Sequence, residues 1–404
     1  MTFVYIPEYS LSNFSWSHGN SYSSDKLLLE HVVQDINDQK LKSVRFYIDH
    51  LDRPKSGTMA LLGKIVATTP TLSEIRIHDY DGTFANASEY LHAIQNTPIK
   101  GFSYNIKEFD LNDMAPFVQE LDHIKHLELT GKINDNFVSL FEVKNTALVS
   151  LRIENSFIEQ FSPWGFNKLL DQIANSKITE FKVTSPLNVD CIDKADFKKT
   201  KITSLTLEHC ENGALEKLHL KSTKINELKL PRNNLNVDVI EKLNVSLKES
   251  SVQKLSLSDN QLEAKELAAL KLQSTKVVEL NLNDCYLSKG HLLALDLKGT
   301  KVKTLHLDGN NLKSDAIDTL MKVAKGTALT HITFDSFDLN ISTKQLTEVK
   351  HETHGDVLKI SDVISFDNAA ALPSGNGTPH LVYALANPVE QHVSTQQPLH
   401  HEIT

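Results

Sequence analysis

The sequence predicts an α/β solenoid, a curved horseshoe with a parallel β-sheet on its concave side and helices on its convex side. Three observations lead to this fold class. Segments of the form L-x-x-L-x-L-x-x-[NC]-x-L recur about every 25 residues. Each segment contains an L-x-L alternation, which is typical of a short strand with one buried face. Several of the stretches between these segments carry apolar residues at helical spacing.

The repeat is clearest in VQKLSLSDNQL, VVELNLNDCYL and VKTLHLDGNNL, which start at Val252, Val277 and Val302. In each segment the fourth and sixth positions are leucine and the ninth is Asn or Cys. Extending this template outward predicts twelve units, spaced 23 to 31 residues apart. The units start at Leu41, Leu72, Ile99, Ile124, Leu148, Ile178, Ile202, Ile225, Val252, Val277, Val302 and Leu329.

These units resemble leucine-rich repeats of the ribonuclease-inhibitor-like class. A small polar step precedes six of the strands, for example KSTK before Ile225 and KGTK before Val302, and it resembles the helix-to-strand turn of that class. The resemblance covers about residues 41–340. It implies a scaffold that binds a partner on its concave face.

The pattern divides the chain into four segments, and caps are expected because a terminal unit would otherwise expose its core. These are an N-terminal cap of a short strand and a helix (1–40), the repeat array (41–340), a C-terminal capping unit with a polar helix and an apolar run (341–366), and an irregular tail (367–404). In the first cap, Leu29, Val32, Val33 and Ile36 have the spacing of one helix face.

The crossover that follows Ser314 has the clearest helical pattern. Ile317, Leu320, Met321 and Ala324 lie on one face, and Ser314 is the predicted N-cap. Paired strands are about 4.8 Å apart, whereas packed helices need about 8–10 Å. A sheet covered by helices on one face must therefore bend, which predicts the horseshoe.

The ninth position of each unit is predicted to point inward and to bind backbone groups where the chain leaves the strand. Asn233, Asn260 and Asn310 occupy this position, and so do Cys210 and Cys285. Three strand steps separate these two cysteines, a distance beyond the reach of a disulfide. With only three cysteines in the chain, we predict buried free thiols and a reducing compartment.

Composition excludes several classes of protein. The chain has 404 residues, a net charge of −9 and only five arginines, which argues against nucleic-acid binding. No apolar stretch approaches the ~18–20 residues of a membrane helix, so no membrane span is predicted. The N-terminus, MTFVYIPEYS, lacks the features of a standard secretory signal.

Catalytic and metal motifs are also not evident. GTMALLGK, residues 57–64, has one residue too many for a phosphate loop and is interpreted as a crossover. His351 and His354 have the wrong spacing for a helical zinc pair and are interpreted as surface histidines. We therefore predict no enzymatic activity, no cofactor and no metal.

Function must then lie on a surface, and the concave face is set by the third, fifth and seventh positions of each unit. Its early part carries Arg, Tyr and His, and its late part is acidic, with some charge at the eighth position as well. Arg and Tyr are favoured interface anchors. The predicted protein-binding residues are Arg45, Tyr47, Arg76, His78, Arg152, Glu279, Asp284, His306, Asp308, His331 and Asp335.

The first hypothesis is a non-enzymatic protein-binding scaffold. The Lys-rich, Arg-poor composition and the tail resemble secreted leucine-rich repeat effectors that intracellular bacterial pathogens deliver into host cells. The partner would be a host protein, and the chain would be cytoplasmic or translocated without a classical signal peptide. The alternative is an intracellular leucine-rich repeat inhibitor or regulator of an enzyme, and an unrecognised enzyme is the third possibility.

Overall fold

The computed structural model falls into two units, residues 1–364 and 365–404. The residues that it describes are 8–10, 33–34, 36–38, 40–48, 56–79, 82–107, 114–155, 161–310, 312, 316–334, 337–340, 345–348 and 364–365.

Within these residues, sixteen strands follow one another in chain order in one sheet. They are β1 (Glu8–Ser10), β2 (Ser43–Ile48), β3 (Glu74–Asp79), β4 (Gly101–Ile106), β5 (His126–Gly131), β6 (Ser150–Asn155), β7 (Glu180–Thr184), β8 (Ser204–Glu208), β9 (Glu227–Lys229), β10 (Lys254–Ser256), β11 (Glu279–Asn281), β12 (Thr304–His306), β13 (His331–Phe334), β14 (Phe337–Asn340), β15 (Gln345–Glu348) and β16 (Ile364–Ser365).

Helices fill the crossovers between successive strands. The α-helices are α1 (Ser56–Thr68), α2 (Phe84–Ile94), α3 (Met114–Gln119), α4 (Asp135–Leu140), α5 (Pro163–Ala174), α6 (Val189–Asp193), α7 (Val237–Lys248), α8 (Ala264–Ala269), α9 (Lys289–Leu292) and α10 (Ile317–Ala324). Three 3-10 helices also lie within the described residues, η1 (Glu120–His123), η2 (Phe197–Lys199) and η3 (Ala214–Lys217). Residues 33–34 and 36–38 of the predicted cap helix are helical.

The predicted register of the repeat is confirmed. Each strand from β2 to β13 begins two residues after a predicted unit start. All neighbouring strands from β1 to β13 pair in parallel. One buried position of the repeat forms a continuous row across four of them, because Leu255 pairs with Leu280, Leu280 with Leu305, and Leu305 with Ile332. The chain therefore has the predicted α/β solenoid architecture, with one parallel sheet alternating with helices.

The core lies between the sheet and the helices. Along β6, the buried Leu151 and Ile153 alternate with the exposed Arg152 and Glu154, as a strand with one buried face requires. Helix α7 also has one buried face, but its buried residues recur with the period of a helix rather than that of a strand. Val239, Ile240, Leu243 and Leu247 form its buried face, and its N-cap, Asn236, accepts a hydrogen bond from the Val239 amide.

The ninth-position side chains form an inward ladder, as predicted. Asn233 Oδ1 accepts from the Cys210 amide at 2.8 Å, and Asn260 Oδ1 accepts from the Asn233 amide at 2.8 Å. Further along, Asn310 Oδ1 accepts from the Cys285 amide at 2.9 Å. Each of these asparagines thus satisfies a buried backbone group of the unit before it.

All three cysteines are buried free thiols, in agreement with the prediction. Cys210 and Cys285 lie in the ladder, and burial raises their pKa values to about 12. Cys191 lies in α6, where its Sγ contacts the Phe161 carbonyl at 3.3 Å and burial raises the thiol pKa to about 11. Their positions explain why cysteine suits these sites, since a thiol behaves there as a small apolar group.

Two local expectations need correction. The polar helix expected at the start of residues 341–366 is absent from residues 345–348, which form β15; β14 and β15 pair antiparallel and extend the sheet beyond β13. The edge of β13 offers free backbone groups to the next segment, and this outweighs a weak helical pattern. Helix α10 begins at Ile317 with Ala316 at its N-cap position, and Ser314, the predicted cap, lies outside the described residues.

The segment interpreted as a crossover rather than a phosphate loop, residues 57–64, lies entirely within α1. Its two glycines are therefore helical and form no loop around a phosphate. None of the helices in the described ranges combines the length and the apolar character that crossing a bilayer demands. The described part of the chain also contains no grouping of three His, Cys, Asp or Glu side chains placed as metal ligands would be.

Candidate functional site

The face of the sheet opposite the helices is open to solvent, and we call it the open face. It carries the third, fifth and seventh positions of each unit, the positions predicted for the concave side. On β6 these are Ser150, Arg152 and Glu154, of which the last two are exposed. The open face is therefore a polar surface held in place by buried leucines of the same strands.

The register of the sheet aligns the fifth positions in one row across neighbouring strands. Arg45 lies beside Arg76, and Arg152 lies between Glu128 and Lys182. From β2 to β9 this row is mostly basic, and from β10 to β13 it contains no Lys, Arg, Asp or Glu. The row reads Arg45, Arg76, Ser103, Glu128, Arg152, Lys182, Thr206, Lys229, Ser256, Asn281, His306 and Thr333.

Arg76 pairs with an acidic residue of its own strand and with a second one two strand steps away. Its Nε lies 3.0 Å from Glu74 Oε1, and its Nη1 lies 3.2 Å from Glu128 Oε2 on β5. The intervening strand β4 leaves room for this reach because its residues beside Glu74 and Arg76 are the small Gly101 and Ser103. Beside this bridge is a depression of about 350 Å³ that extends to Arg152 and Glu180.

The centre of the open face holds a buried carboxylate with two cationic partners. Glu208 is only 4% exposed. Its Oε2 lies 2.8 Å from Lys182 Nζ and accepts a hydrogen bond from the Thr184 hydroxyl at 3.0 Å, while its Oε1 accepts from Arg232 Nη1 at 3.0 Å. Arg232 Nε also lies 3.9 Å from Asp259 Oδ1.

The balance of these contacts decides the charge of Glu208. Burial alone would raise the pKa of its carboxyl, but the Lys182 ammonium, the Thr184 hydroxyl and the Arg232 guanidinium together hold the pKa below the ordinary value of 4.5. Glu208 is therefore a fixed negative charge at neutral pH. We call Arg152, Glu180, Lys182, Glu208 and Arg232 the central cluster.

Replacing Glu208 with Gln is expected to lower the free energy of unfolding at neutral pH by about 1–3 kcal/mol, because buried donors lose a charged acceptor. The difference from wild type should shrink as the pH falls below 4.5, since the lowered pKa makes the folded protein bind this proton less tightly than the unfolded chain. Urea denaturation at several pH values measures this difference. The exposed Glu211→Gln is the control, and a pH-independent loss in Glu208→Gln would contradict the assignment.

The late part of the open face is a hydrogen-bonded polar network. Glu279 lies between Lys254 Nζ, at 2.9 Å, and His306 Nε2, at 3.5 Å. The Thr333 hydroxyl donates to Asp308 Oδ2 at 3.0 Å and lies 3.0 Å from Nδ1 of His306. Three predicted residues, Glu279, His306 and Asp308, are thus brought into one network with Lys254 and Thr333.

Three aspartates lie at the adjacent edge, where the strands end. Asp259 and Asp284 have φ values of 56° and 54°, a left-handed conformation that aspartate tolerates better than most residues. Burial raises the pKa of the Asp284 carboxyl, and the charges of Asp259 and Asp308 raise it further. The late part is therefore acidic, as predicted.

The predicted residues do not form one site. Arg45, Arg76 and the exposed His78 lie on β2 and β3, eight strand steps or about 38 Å from the late network along the sheet. His331 lies on β13 beside Thr304. The backbone of Tyr47 lies in β2, but its side chain and all of Asp335 lie outside the described residues.

Of the predicted residues, only Arg152 belongs to the central cluster. Three depressions adjoin there, because the middle one shares Arg152 and Glu180 with the first and Lys182 with the third. Lys182, Glu208 and Arg232 were missed by the sequence reasoning, although they occupy the fifth, seventh and eighth positions of three successive units. The signal was present, since residues at the same positions were predicted to bind in the units at both ends of the array.

Comparison with known proteins yields structural similarities only. No protein-family model and no curated protein matches the chain. The leucine-rich repeat-containing protein LegL7 from Legionella pneumophila is 19% identical, with a TM-score of 0.46 over 72% of this chain and 91% of that one. A chain of the Rad7 and Elc1 complex in yeast is 15% identical, with a TM-score of 0.43 over 78% of this chain and 83% of that one.

Because both TM-scores lie below 0.5, these similarities carry no argument about the fold. The fold is instead read from the geometry of this chain. Twelve strands start at the predicted repeat position, pair in parallel and alternate with helices. The ninth-position asparagines hold successive turns together through buried backbone groups. The chain thus has a leucine-rich repeat architecture.

Proposed function

We propose that the chain is a non-enzymatic scaffold that binds a protein partner on the open face, at the central cluster. One observation carries this proposal. Three adjoining depressions of the open face are together lined by all five side chains of the central cluster. Recessed polar surface with Arg at its centre is typical of the anchoring region of a protein interface.

Arg152 is the side chain best suited to contact a partner. It is exposed, and it stands between Glu128 and Lys182 in the fifth-position row. Arg76 and Lys182, by contrast, are already engaged in ion pairs with Glu128 and Glu208. An exposed guanidinium on a rigid strand keeps its donors available for bidentate bonds to a partner.

Charge reversal at Arg152 should abolish capture of the partner without unfolding the protein. The immobilised chain would be exposed to a eukaryotic lysate, and bound proteins identified by mass spectrometry. Arg152→Glu places a negative charge at the centre of the interface, where like charges cost several kcal/mol. Lys242→Glu, on the exposed face of α7, is the matched control and should capture the partner normally.

The opposite pattern would place the partner elsewhere. If Arg152→Glu binds as wild type and Lys242→Glu does not, the partner contacts the helical side. If Asp308→Lys alone loses the partner, the interface is the acidic late part of the open face. In both cases the central cluster is not the binding site.

We also propose that the scaffold is an effector that a bacterial pathogen delivers into a host cell, where its partner is a host protein. The Lys-rich, Arg-poor composition, the regular units and the tail from residue 367 support this role. The alternative is an intracellular inhibitor or regulator of an enzyme. That role would use the same face but would not need delivery.

Deleting residues 367–404 is expected to abolish transfer into a host cell and to leave partner binding unchanged. A reporter enzyme fused to the N-terminus measures transfer, and the capture experiment measures binding. Transfer that is independent of the tail would contradict its role as the export signal. A chain that stays in the cell that makes it would favour the regulator.

A further inference from the structure

A cavity of about 120 Å³ opens at the carboxyl ends of β6, β7 and β8, inside the central cluster. Its lining is polar throughout and includes both signs of charge. Its volume suits a small polar group rather than a large ligand. The lining residues are Glu154, Asn155, Lys182, Thr184, Ser185, Glu208, His209 and Arg232.

The cations of this cavity have more hydrogen-bond donors than the buried carboxylate uses. Glu208 binds one atom each of Lys182 and Arg232. The side chains of Lys182 and Arg232 remain 37% and 49% exposed, so an ammonium and a guanidinium with further N–H groups border the cavity. Two cations, Lys182 and Arg232, and two carboxylates, Glu154 and Glu208, line the cavity, so its charges balance while the cations keep N–H groups beyond those that Glu208 binds.

Ser185 provides an independent indication of a ligand. The residue is 1% exposed and lines the cavity, and its hydroxyl has no hydrogen-bond partner among the described residues. Its backbone amide, in contrast, is bonded to the Glu208 carbonyl at 3.1 Å. A buried hydroxyl without a partner costs stability, and a bound acceptor would remove that cost.

We infer that this cavity receives the carboxylate of an acidic side chain from the protein partner, an inference that rests on the proposed function. The carboxylate would accept from the Ser185 hydroxyl and from free N–H groups of Lys182 and Arg232. A dianionic phosphate fits less well, because Glu154 and Glu208 line the same space.

The test uses three fluorescein-labelled Gly-Ser peptides that carry four Glu, four Gln or four phosphoserine residues, with binding to the full chain measured by fluorescence anisotropy. We expect the Glu peptide to bind and the Gln peptide to bind at least about tenfold more weakly. Equal binding of these two, or tighter binding of the phosphoserine peptide, overturns the inference.

Ser185→Ala provides the sharpest variant, because it removes one unpartnered hydroxyl. It should weaken binding of the Glu peptide about tenfold and leave the unfolding temperature unchanged or raised. Ser43→Ala is the matched control, since the Ser43 hydroxyl on β2 is also buried and unpartnered among the described residues. If Ser185→Ala binds the Glu peptide as tightly as Ser43→Ala does, or if Ser185→Ala unfolds at a lower temperature than wild type, the Ser185 hydroxyl does not bind a ligand.

Arg232→Gln should also weaken binding of the Glu peptide at least tenfold, whereas Lys242→Gln, which removes a distant charge, should not.

Together, the peptide experiment and the capture experiment separate this inference from the proposed function. If no acidic peptide binds but Arg152→Glu still loses the captured partner, the scaffold role stands and the carboxylate cavity is wrong. If the Glu peptide binds and capture is insensitive to Arg152→Glu, the cavity stands and the proposed interface is wrong.

Discussion

Asn260→Ala is expected to lower the free energy of unfolding by about 2–4 kcal/mol. The Asn260 amide nitrogen donates to the carbonyls of Leu230 at 2.9 Å, Leu257 at 2.8 Å and Ser258 at 3.0 Å, and its oxygen accepts from the Asn233 amide at 2.8 Å. Alanine would remove all four bonds on both sides of one turn, although the Leu257 carbonyl would keep a second bond, from Cys285 Sγ at 3.2 Å. Since repeat units interact mainly with their neighbours, the loss should spread to adjacent turns.

The matched control for this prediction is Asn234→Ala. Asn234 follows the ladder residue of its own unit, but it is exposed and donates only to Asn212 Oδ1, at 3.1 Å. Its loss should change the free energy of unfolding by less than about 0.5 kcal/mol. Urea denaturation of both variants measures the difference, and equal losses would mean that the ladder does not stabilise the turns.

Gly131→Ala is the second change with a large expected effect, about 3–5 kcal/mol of destabilisation. Gly131 ends β5 with a φ of 106°, a conformation that L-residues rarely adopt. A Cβ built there would lie 2.0 Å from the carbonyl oxygen of Ile106 on the neighbouring strand. That oxygen belongs to the backbone of the sheet, so the clash can be relieved only by moving a strand.

Gly290→Ala is the control with the opposite expected sign. Gly290 lies in α9, and a Cβ added to it would have Ser288 Oγ as its nearest atom, at an ordinary 3.6 Å. Alanine should therefore raise stability by up to about 1 kcal/mol, since it has the higher helix propensity. Thermal unfolding distinguishes the two, and a tolerated Gly131→Ala would mean that β4 and β5 are not held at this distance.

The fold could be predicted because the repeat depends on local periodicity. Even the degenerate unit at Ile99 forms its strand, β4, two residues later, because its apolar positions keep the alternation of a strand. The polar helix expected within residues 341–366 does not include Gln345–Glu348. This segment forms β15 by pairing with β14, a contact that no local pattern contains.

The candidate site was harder to predict, because it depends on contacts between units. Lys182, Glu208 and Arg232 are each ordinary polar residues of their own unit. They form a cluster only because parallel register places their strands side by side and because Arg232, with a φ of 52°, turns at the end of its strand. Side-chain direction across strands decides such pairs, and a single sequence shows only which position each residue occupies.

The buried thiols have a consequence for how the chain could travel. Only a thiolate attacks disulfides or is readily oxidised, and a thiol pKa of about 12 leaves about one Cys210 or Cys285 side chain in 10⁵ ionised at pH 7. The Cys191 thiol, with a pKa of about 11, is about tenfold more ionised but is fully buried. Once folded, the chain should therefore keep its three thiols reduced in an oxidising environment, and the same covalent form would exist on both sides of a membrane.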